Sequence, residues 1–155
     1  MAEGGAVDLI HLADDESSLL VRVLGRHMPG VLSWHDFLDA EIVVGGGFAQ
    51  GRLEVCLAPD DLDCWSEVLD VLAAGRDASW MDDGRNPEIR FEPAGQAGVV
   101  VVAVEDHAGS GTSVRVAMRV PEGWVSEHRK QLQRVRAVWP QEVVETSPNT
   151  YEWRR

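Results

Sequence analysis

Leu38, Ala40, Ile42 and Val44 alternate with Asp39, Glu41 and Val43, and the period of two resumes after Gly45-Gly46-Gly47. There Leu53, Val55 and Leu57 alternate with Arg52, Glu54 and Cys56. Successive side chains of a strand point to opposite faces, so each run describes a strand with one apolar face. The pattern recurs along the chain. Val7 to Leu12 and Leu19 to Leu24 are short apolar runs on either side of the polar turn Asp14-Asp15-Glu16-Ser17-Ser18. Ile89 and Phe91 alternate with Glu88, Arg90 and Glu92, and Val114, Val116, Met118 and Val120 with Arg115, Ala117 and Arg119. Val99 to Val104 has no alternation and reads as a strand buried on both faces. Turns of hairpin length between the runs make sequence neighbours antiparallel neighbours.

Two segments switch to a helical period. Pro59-Asp60-Asp61 supplies a start, Leu62, Trp65, Val68, Leu69 and Leu72 form one apolar face, and Gly75 sits where a left-handed terminator is expected. The spacing predicts a helix over 61–74. Pro121-Glu122 opens the second, Val125, His128, Leu132, Val135 and Trp139 line its face, and Pro140 stops it. The order strands, helix, strands, helix predicts an α+β fold: a mainly antiparallel β-sheet of about six to seven strands with two amphipathic helices packed on one face. Residues 1–140 read as a single domain. Residues 141–155 read as a polar, flexible tail apart from Tyr151 and Trp153. No repeat of residues is evident, although both halves follow the same strand-then-helix plan.

The 155 residues suit one domain, and 45% hydrophobic with 26% charged residues describes a globular chain. No apolar run approaches the ~20 residues of a membrane span, and Met1-Ala2-Glu3-Gly4-Gly5 lacks the features of a secretory signal, so the expected compartment is the cytoplasm. Cys56 and Cys64, eight residues apart, define no metal or disulfide framework and are expected as reduced thiols. Net charge is −12, and residues 1–95 hold 19 acids against 6 bases, whereas residues 96–155 hold 7 against 8. Such acidity repels nucleic-acid phosphate and anionic lipid and attracts basic partners. Neither nucleic acid nor membrane is expected as a partner. A homodimer is left open by six tryptophans in a chain of this length.

The chain carries no phosphate-binding, nucleophile-elbow or zinc-protease motif. Gly45-Gly46-Gly47 is followed by a strand rather than a helix, which makes it a turn and not a phosphate cradle. The five histidines stand singly; His27 and His35 share a loop with Asp36 and Asp39 without metal-ligand spacing. Asp82, Asp83, Asn86 and Glu88 crowd Gly84 without the alternation of a calcium loop. No catalytic residue, metal or cofactor is therefore assigned. Two segments combine aromatic, Met, Arg and His residues of the kind enriched at protein interfaces. One is the long connection from Gly25 to Asp36, with Arg26, His27, Met28, Trp34 and His35. The other holds Trp80, Met81, Asp82, Asp83 and Arg85. Either these segments form exposed recognition surface, or their Trp and Met side chains fold back to cover the sheet.

The stretches Leu9-Ile10-His11-Leu12-Ala13-Asp14, Val21-Arg22-Val23-Leu24-Gly25-Arg26, Leu38 to Val44 and Trp80 to Ile89 resemble an uncharacterised family of small bacterial proteins from high-GC Gram-positive species, across about Asp8 to Pro140. That resemblance implies no activity or site residue. In layout, the strand at Leu38-Asp39-Ala40-Glu41-Ile42, the helix with a central Trp65 and the proline-ended second helix are similar to the WapI-type immunity proteins, which neutralise toxin domains. Together with the acidic front half, the two aromatic, Met and Arg segments and the missing catalytic motifs, this resemblance implies a non-catalytic protein-binding module, immunity-like, that occludes a basic partner. The alternatives are a cytoplasmic regulatory or adaptor protein and, from other classes, a small enzyme using His27, His35 and Asp36 or the acids Asp82 and Asp83, or a metal-binding protein.

Overall fold

Alternation places the strands. The structure, a computed structural model, describes residues 5–84, 86–93, 95 and 98–155. Strands β1 (Val7–Ala13), β2 (Ser17–Arg26), β3 (Leu38–Gly46) and β4 (Gln50–Leu57) pair antiparallel in chain order. Val21, Ile42 and Leu53 form one cross-strand row, and Val23, Ala40 and Val55 the next, all facing the core. On the outer face Asp8, Arg22, Glu41 and Glu54 stand side by side. At the β3–β4 turn the Gly46 N–H donates to the Ala49 carbonyl, and a Cβ on Gly45 would lie 2.3 Å from that oxygen. Only glycine fits there.

Helix α1 (Pro59–Ala73) follows, with the Ala58 N–H donating to Asp61 Oδ2 at its start. Its end is closed by Gly75 at φ +77°, whose N–H donates to the Leu72 carbonyl. A second antiparallel meander then forms from β5 (Ala78–Trp80), β6 (Glu88–Pro93), β7 (Val99–Glu105) and β8 (Ser113–Arg119). Helix α2 (Trp124–Val138) and a hairpin of β9 (Val143–Ser147) and β10 (Thr150–Trp153) complete the chain.

The α+β class and both helices match expectation, but among the described residues the strands form three sheets of four, four and two rather than one of six or seven. Alternation specifies which face of a strand is apolar and leaves open which edges join. The 15-residue α1 carries the chain away from β4, so β5 begins a new sheet by pairing with β6. Residues 141–155, read as a polar tail, carry the β9–β10 hairpin. In β7 only one face is fully closed: Val100, Val102 and Val104 are buried inward, whereas Val101 is half-buried.

Both halves are therefore ββββα, and each half's helix packs on the other half's sheet. Helix α1 lies against β5, and α2 lies against β1. Trp65 of α1 stacks with Trp80 and Phe91 at 5.2 and 5.4 Å between ring centroids, and the Trp80 Nε1–H donates to the Asp61 carbonyl at 2.8 Å. On the other side His128 of α2 sits 2.6 Å from the Trp124 carbonyl through Nδ1, while Nε2 accepts the His11 N–H of β1 at 3.1 Å. Both ring nitrogens are used by the neutral Nδ1–H tautomer. The helices themselves run antiparallel, with Asp63–Arg136 and Asp70–Arg129 pairs, each 2.7 Å. These pairs are exposed and contribute at most about 1 kcal/mol apiece. The two sheets meet along β8, where Asp14 Oδ2 accepts the Arg119 N–H and Oδ1 the N–H groups of Glu16 and Ser17. Those backbone donors, Arg119 foremost, hold the Asp14 carboxyl below its usual range. Among the described residues no helix is long and apolar enough to cross a membrane.

Two outcomes follow from the exchanged helices. A fragment ending before β5 leaves Trp65 and the apolar face of α1 without the surface they pack on. It is expected to be unfolded by far-ultraviolet circular dichroism and by amide exchange. Burial lowers the His128 pKa, so the folded protein disfavours the proton that the unfolded chain accepts. The stability held above pH ~6.5 is then lost as pH falls through and below that value. His128→Gln, which can still accept the His11 N–H, should flatten this part of the urea-midpoint-versus-pH curve relative to the parent.

Candidate functional site

Arg26, the last residue of β2, organises the connection to β3. Its Nη1 donates to Asp36 Oδ1 at 3.0 Å and to the His35 carbonyl, and its Nη2 donates to the Pro140 carbonyl at 2.9 Å. Asp36 also accepts the N–H groups of Glu142 and Val143, the latter at 2.8 Å. The two side chains are 12% and 7% exposed, so the pair is largely removed from water and hydrogen-bonded on nearly every lone pair and proton. His35 Nδ1 accepts the Gly30 N–H, which leaves Nε2 to donate to Glu142 Oε1 at 2.7 Å. The Trp153 ring meets His35 edge-on at 4.8 Å. The base of the connection and the C-terminal hairpin thus hold each other in place.

The connection itself is wound in successive three-residue turns. Val31 N–H donates to Met28, Trp34 N–H to Val31, and Phe37 N–H to Trp34. Bonds of this spacing stack residues three apart on one side. Met28, Val31 and Trp34 form that side, and they are 41%, 40% and 43% exposed. His27 and Phe37 brace the Trp34 ring from below, at 5.8 and 4.8 Å. An apolar stripe is thereby presented to solvent by a segment whose two ends are pinned.

The second candidate segment differs. Trp80 is fully buried and Met81 is 5% exposed, so these two belong to the core and not to a recognition surface. Met81 turns the chain after β5 with φ +61°. Asp82 and Asp83 remain exposed, and Asp83 accepts bonds from the backbone and side chain of Asn86 as an acidic turn does. Arg85 lies outside the described residues. A cleft of about 420 Å³ between α1 and this turn is walled by Asp61, Glu67, Asp77 and Asp82 over a floor that includes Val68 and Met81.

His27, His35 and Asp36 do not converge. His35 and Asp36 turn toward the C-terminal hairpin, whereas His27 Nδ1 lies 2.7 Å from Asp39 Oδ1. Cys56 joins His27 and Asp39, with one ligand atom from each of the three within 4.8 Å of the others. Burial, then the Asp39 and Asp61 carboxylates, push the Cys56 thiol up. Asp39 and Cys56 are direct cross-strand partners. Counting outward from the Gly45–Gln50 pair at the hairpin turn would have placed them together, a signal that the eight-residue spacing to Cys64 hides. A second group joins His107 to Glu88 and Glu105 at 3.0 and 3.5 Å on the outer face of the other sheet. Val31, Glu142 and Trp153 were also missed by sequence reasoning, because each acquires its place only through the winding of the loop or the docking of the hairpin.

These features define a small α+β domain made of two ββββα units, with a pinned apolar loop at the end of its first sheet. The chain belongs to the family described as a family of unknown function (DUF5959), which it matches over residues 7–140. No curated protein matches it. Among solved structures it is similar to one described as the structure of a guideRNA-binding protein complex bound to a gRNA. That similarity is 14% identity and a TM-score of 0.46, over 84% of this chain and 88% of the other.

Removing the Asp36 carboxylate leaves two backbone N–H groups without their acceptor and Arg26 with only the half-exposed Glu142 carboxylate, 3.3 Å from Nη2, as counter-charge. Asp36→Ala should cost roughly 2–4 kcal/mol in chemical denaturation, because breaking a buried pair exposes the full desolvation penalty of the survivor. Amide exchange at Glu142 and Val143 should accelerate in the same variant, while exchange in α1 follows only the global change.

Proposed function

We propose that this chain is a non-catalytic protein-binding module that engages a basic protein through the loop between β2 and β3. The observation that carries the reading is the stripe of Met28, Val31 and Trp34, exposed on a segment whose ends are fixed by the Arg26–Asp36 pair. Trp and Met suit an interface anchor, and a loop already ordered before association loses little conformational entropy on binding. The excess of acids in residues 1–95 favours a cationic partner, which it would attract over a Debye length of about 8 Å at physiological salt. An immunity-type inhibitor occluding a basic toxin domain is the most concrete form of this reading. A cytoplasmic regulatory or adaptor protein would use the same surface, and gene context beside a large secreted toxin favours the former.

The test is capture of the tagged protein's partners from its host at low and high salt, with Trp34→Ala as the comparison. Trp34 is exposed, so that variant should remain folded, and loss of ~2 kcal/mol or more of affinity is expected at a hot spot. One basic protein held by the parent, released by Trp34→Ala, and associating more slowly as salt rises supports the module. An association rate indifferent to salt removes the acidic-steering part of the reading. Self-association that the Trp34→Ala change abolishes would make the stripe a dimer contact instead.

A further inference from the structure

We infer that His27, Asp39 and Cys56 form a three-ligand site for a zinc-type divalent cation, with the fourth coordination position open to the adjoining cleft. The inference does not rest on the binding-module reading. Three donors of different chemistry meet on the outer face of the first sheet: an imidazole, a carboxylate and a thiol, each offering one atom within 4.8 Å of the others. A tetrahedral zinc ion, with bonds of ~2.0–2.3 Å, places its ligand atoms about 3.3–3.6 Å apart. The 2.7 Å between His27 Nδ1 and Asp39 Oδ1 is a hydrogen bond. It needs to open by only about 0.6 Å for the ion to replace the proton between them.

The frame is already built. Asp39 and Cys56 are cross-strand partners on adjacent strands, which fixes their relative position through the sheet ladder. His27, the first residue beyond β2, is tied to the same place by its N–H, which donates to the Phe37 carbonyl at 2.8 Å, and by its edge contact with Trp34. The donor set also selects the ion. Zinc binding releases the Cys56 thiol proton to solvent, and the resulting thiolate with an imidazole favours zinc over magnesium or calcium, which prefer oxygen ligands throughout. Asp39 and Cys56 both line a cleft of about 440 Å³ that Glu54 and Asp106 also border, leaving room on that side for water or a ligand group. Three protein ligands with an open fourth position is the arrangement of zinc sites that bind or activate a small molecule. The group around His107 offers two carboxylates and one imidazole and no sulfur, so a sulfur-dependent signal separates the two locations.

Cobalt(II) reports on the site directly, since thiolate coordination produces a sulfur-to-metal charge-transfer band. Titration of the reduced full-length protein is expected to develop that band with one equivalent of cobalt, and zinc is expected to displace it. Cys56→Ser should abolish the band and Cys64→Ser should leave it unchanged. His27→Gln and Asp39→Asn should each weaken cobalt affinity at least tenfold while retaining the far-ultraviolet circular dichroism of the parent. The band's absence from the parent overturns the site. So does a band that survives in folded Cys56→Ser, or one that depends on Cys64. Should Cys56→Ser fail to fold, His27→Gln decides by the same readout, because unchanged affinity in that exposed-residue variant overturns the assignment.

Discussion

The contact of Trp65 with Trp80 and Phe91 binds the end of one ββββα unit to the beginning of the next, and the rest of the structure depends on it. An antiparallel meander has one apolar face, and its own following helix is the nearest cover. Here that cover is exchanged: α1 leaves its sheet for β5, and α2 returns to β1. Aromatic side chains bury about 150–250 Å² each, so three of them at one junction remove on the order of 500 Å² from water, or about 12 kcal/mol at the usual coefficient. That exceeds several-fold the ~2 kcal/mol that the two exposed helix–helix ion pairs can add at most. Trp65 Nε1 is buried with no hydrogen-bond partner among the described residues, a cost of ~1–3 kcal/mol that the same packing outweighs.

Exchange also determines where the chain's ends lie. Because α2 sits on β1, Pro140 emerges beside the end of β2, where Arg26 donates to its carbonyl. The residues beyond Pro140 then have backbone N–H groups to satisfy, and Asp36 accepts two of them. A loop of eleven residues would ordinarily be the most mobile part of such a domain. Here its base is held by a charge pair shielded from water, and its body by turns in regular succession. The apolar stripe is thus a consequence of the exchanged helices acting through Asp36, and not of the loop's composition alone.

The residues that sequence reading placed best are those whose environment is set within one element. Leu62, Trp65, Leu69 and Leu72 declare a helix face by spacing, and Ile42 and Val44 declare a strand face by alternation, without reference to anything distant. What stayed hidden depends on partners far along the chain. Ala78-Ser79-Trp80 is too short to show a period, and Trp80 reads equally well as surface until Phe91 and Trp65 are beside it. Val143 to Ser147 is polar enough to pass for a tail because its hairpin is stabilised by Asp36 and by the Trp153 contact with His35. Cys56 was unremarkable by its spacing to Cys64, yet strand register puts it opposite Asp39. Sheet division belongs to the same class of hidden fact, since edges are chosen by tertiary packing.

For the proposed binding role, magnitudes decide how the loop and the charge would divide the work. The solvent-facing parts of Met28, Val31 and Trp34 amount to an area on the order of 250 Å², which is worth about 6 kcal/mol if fully covered. Association costs about 4–15 kcal/mol in lost translational and rotational freedom, so the stripe alone reaches only weak binding. Something must supply the remainder. Five of the thirteen arginines cannot, because Arg22, Arg26, Arg52, Arg129 and Arg136 are already committed to Asp8, Asp36, Glu41, Asp70 and Asp63. The acids lack that limitation: Asp15, Glu16, Asp60, Glu67, Asp77 and Asp82 lie on the exposed surface of the chain's front half. A partner that meets them with arginine or lysine gains charge-assisted hydrogen bonds in addition to the apolar anchor. In the proposed complex the division is therefore an anchor that sets how long the complex lasts and an acidic field that sets how fast it forms.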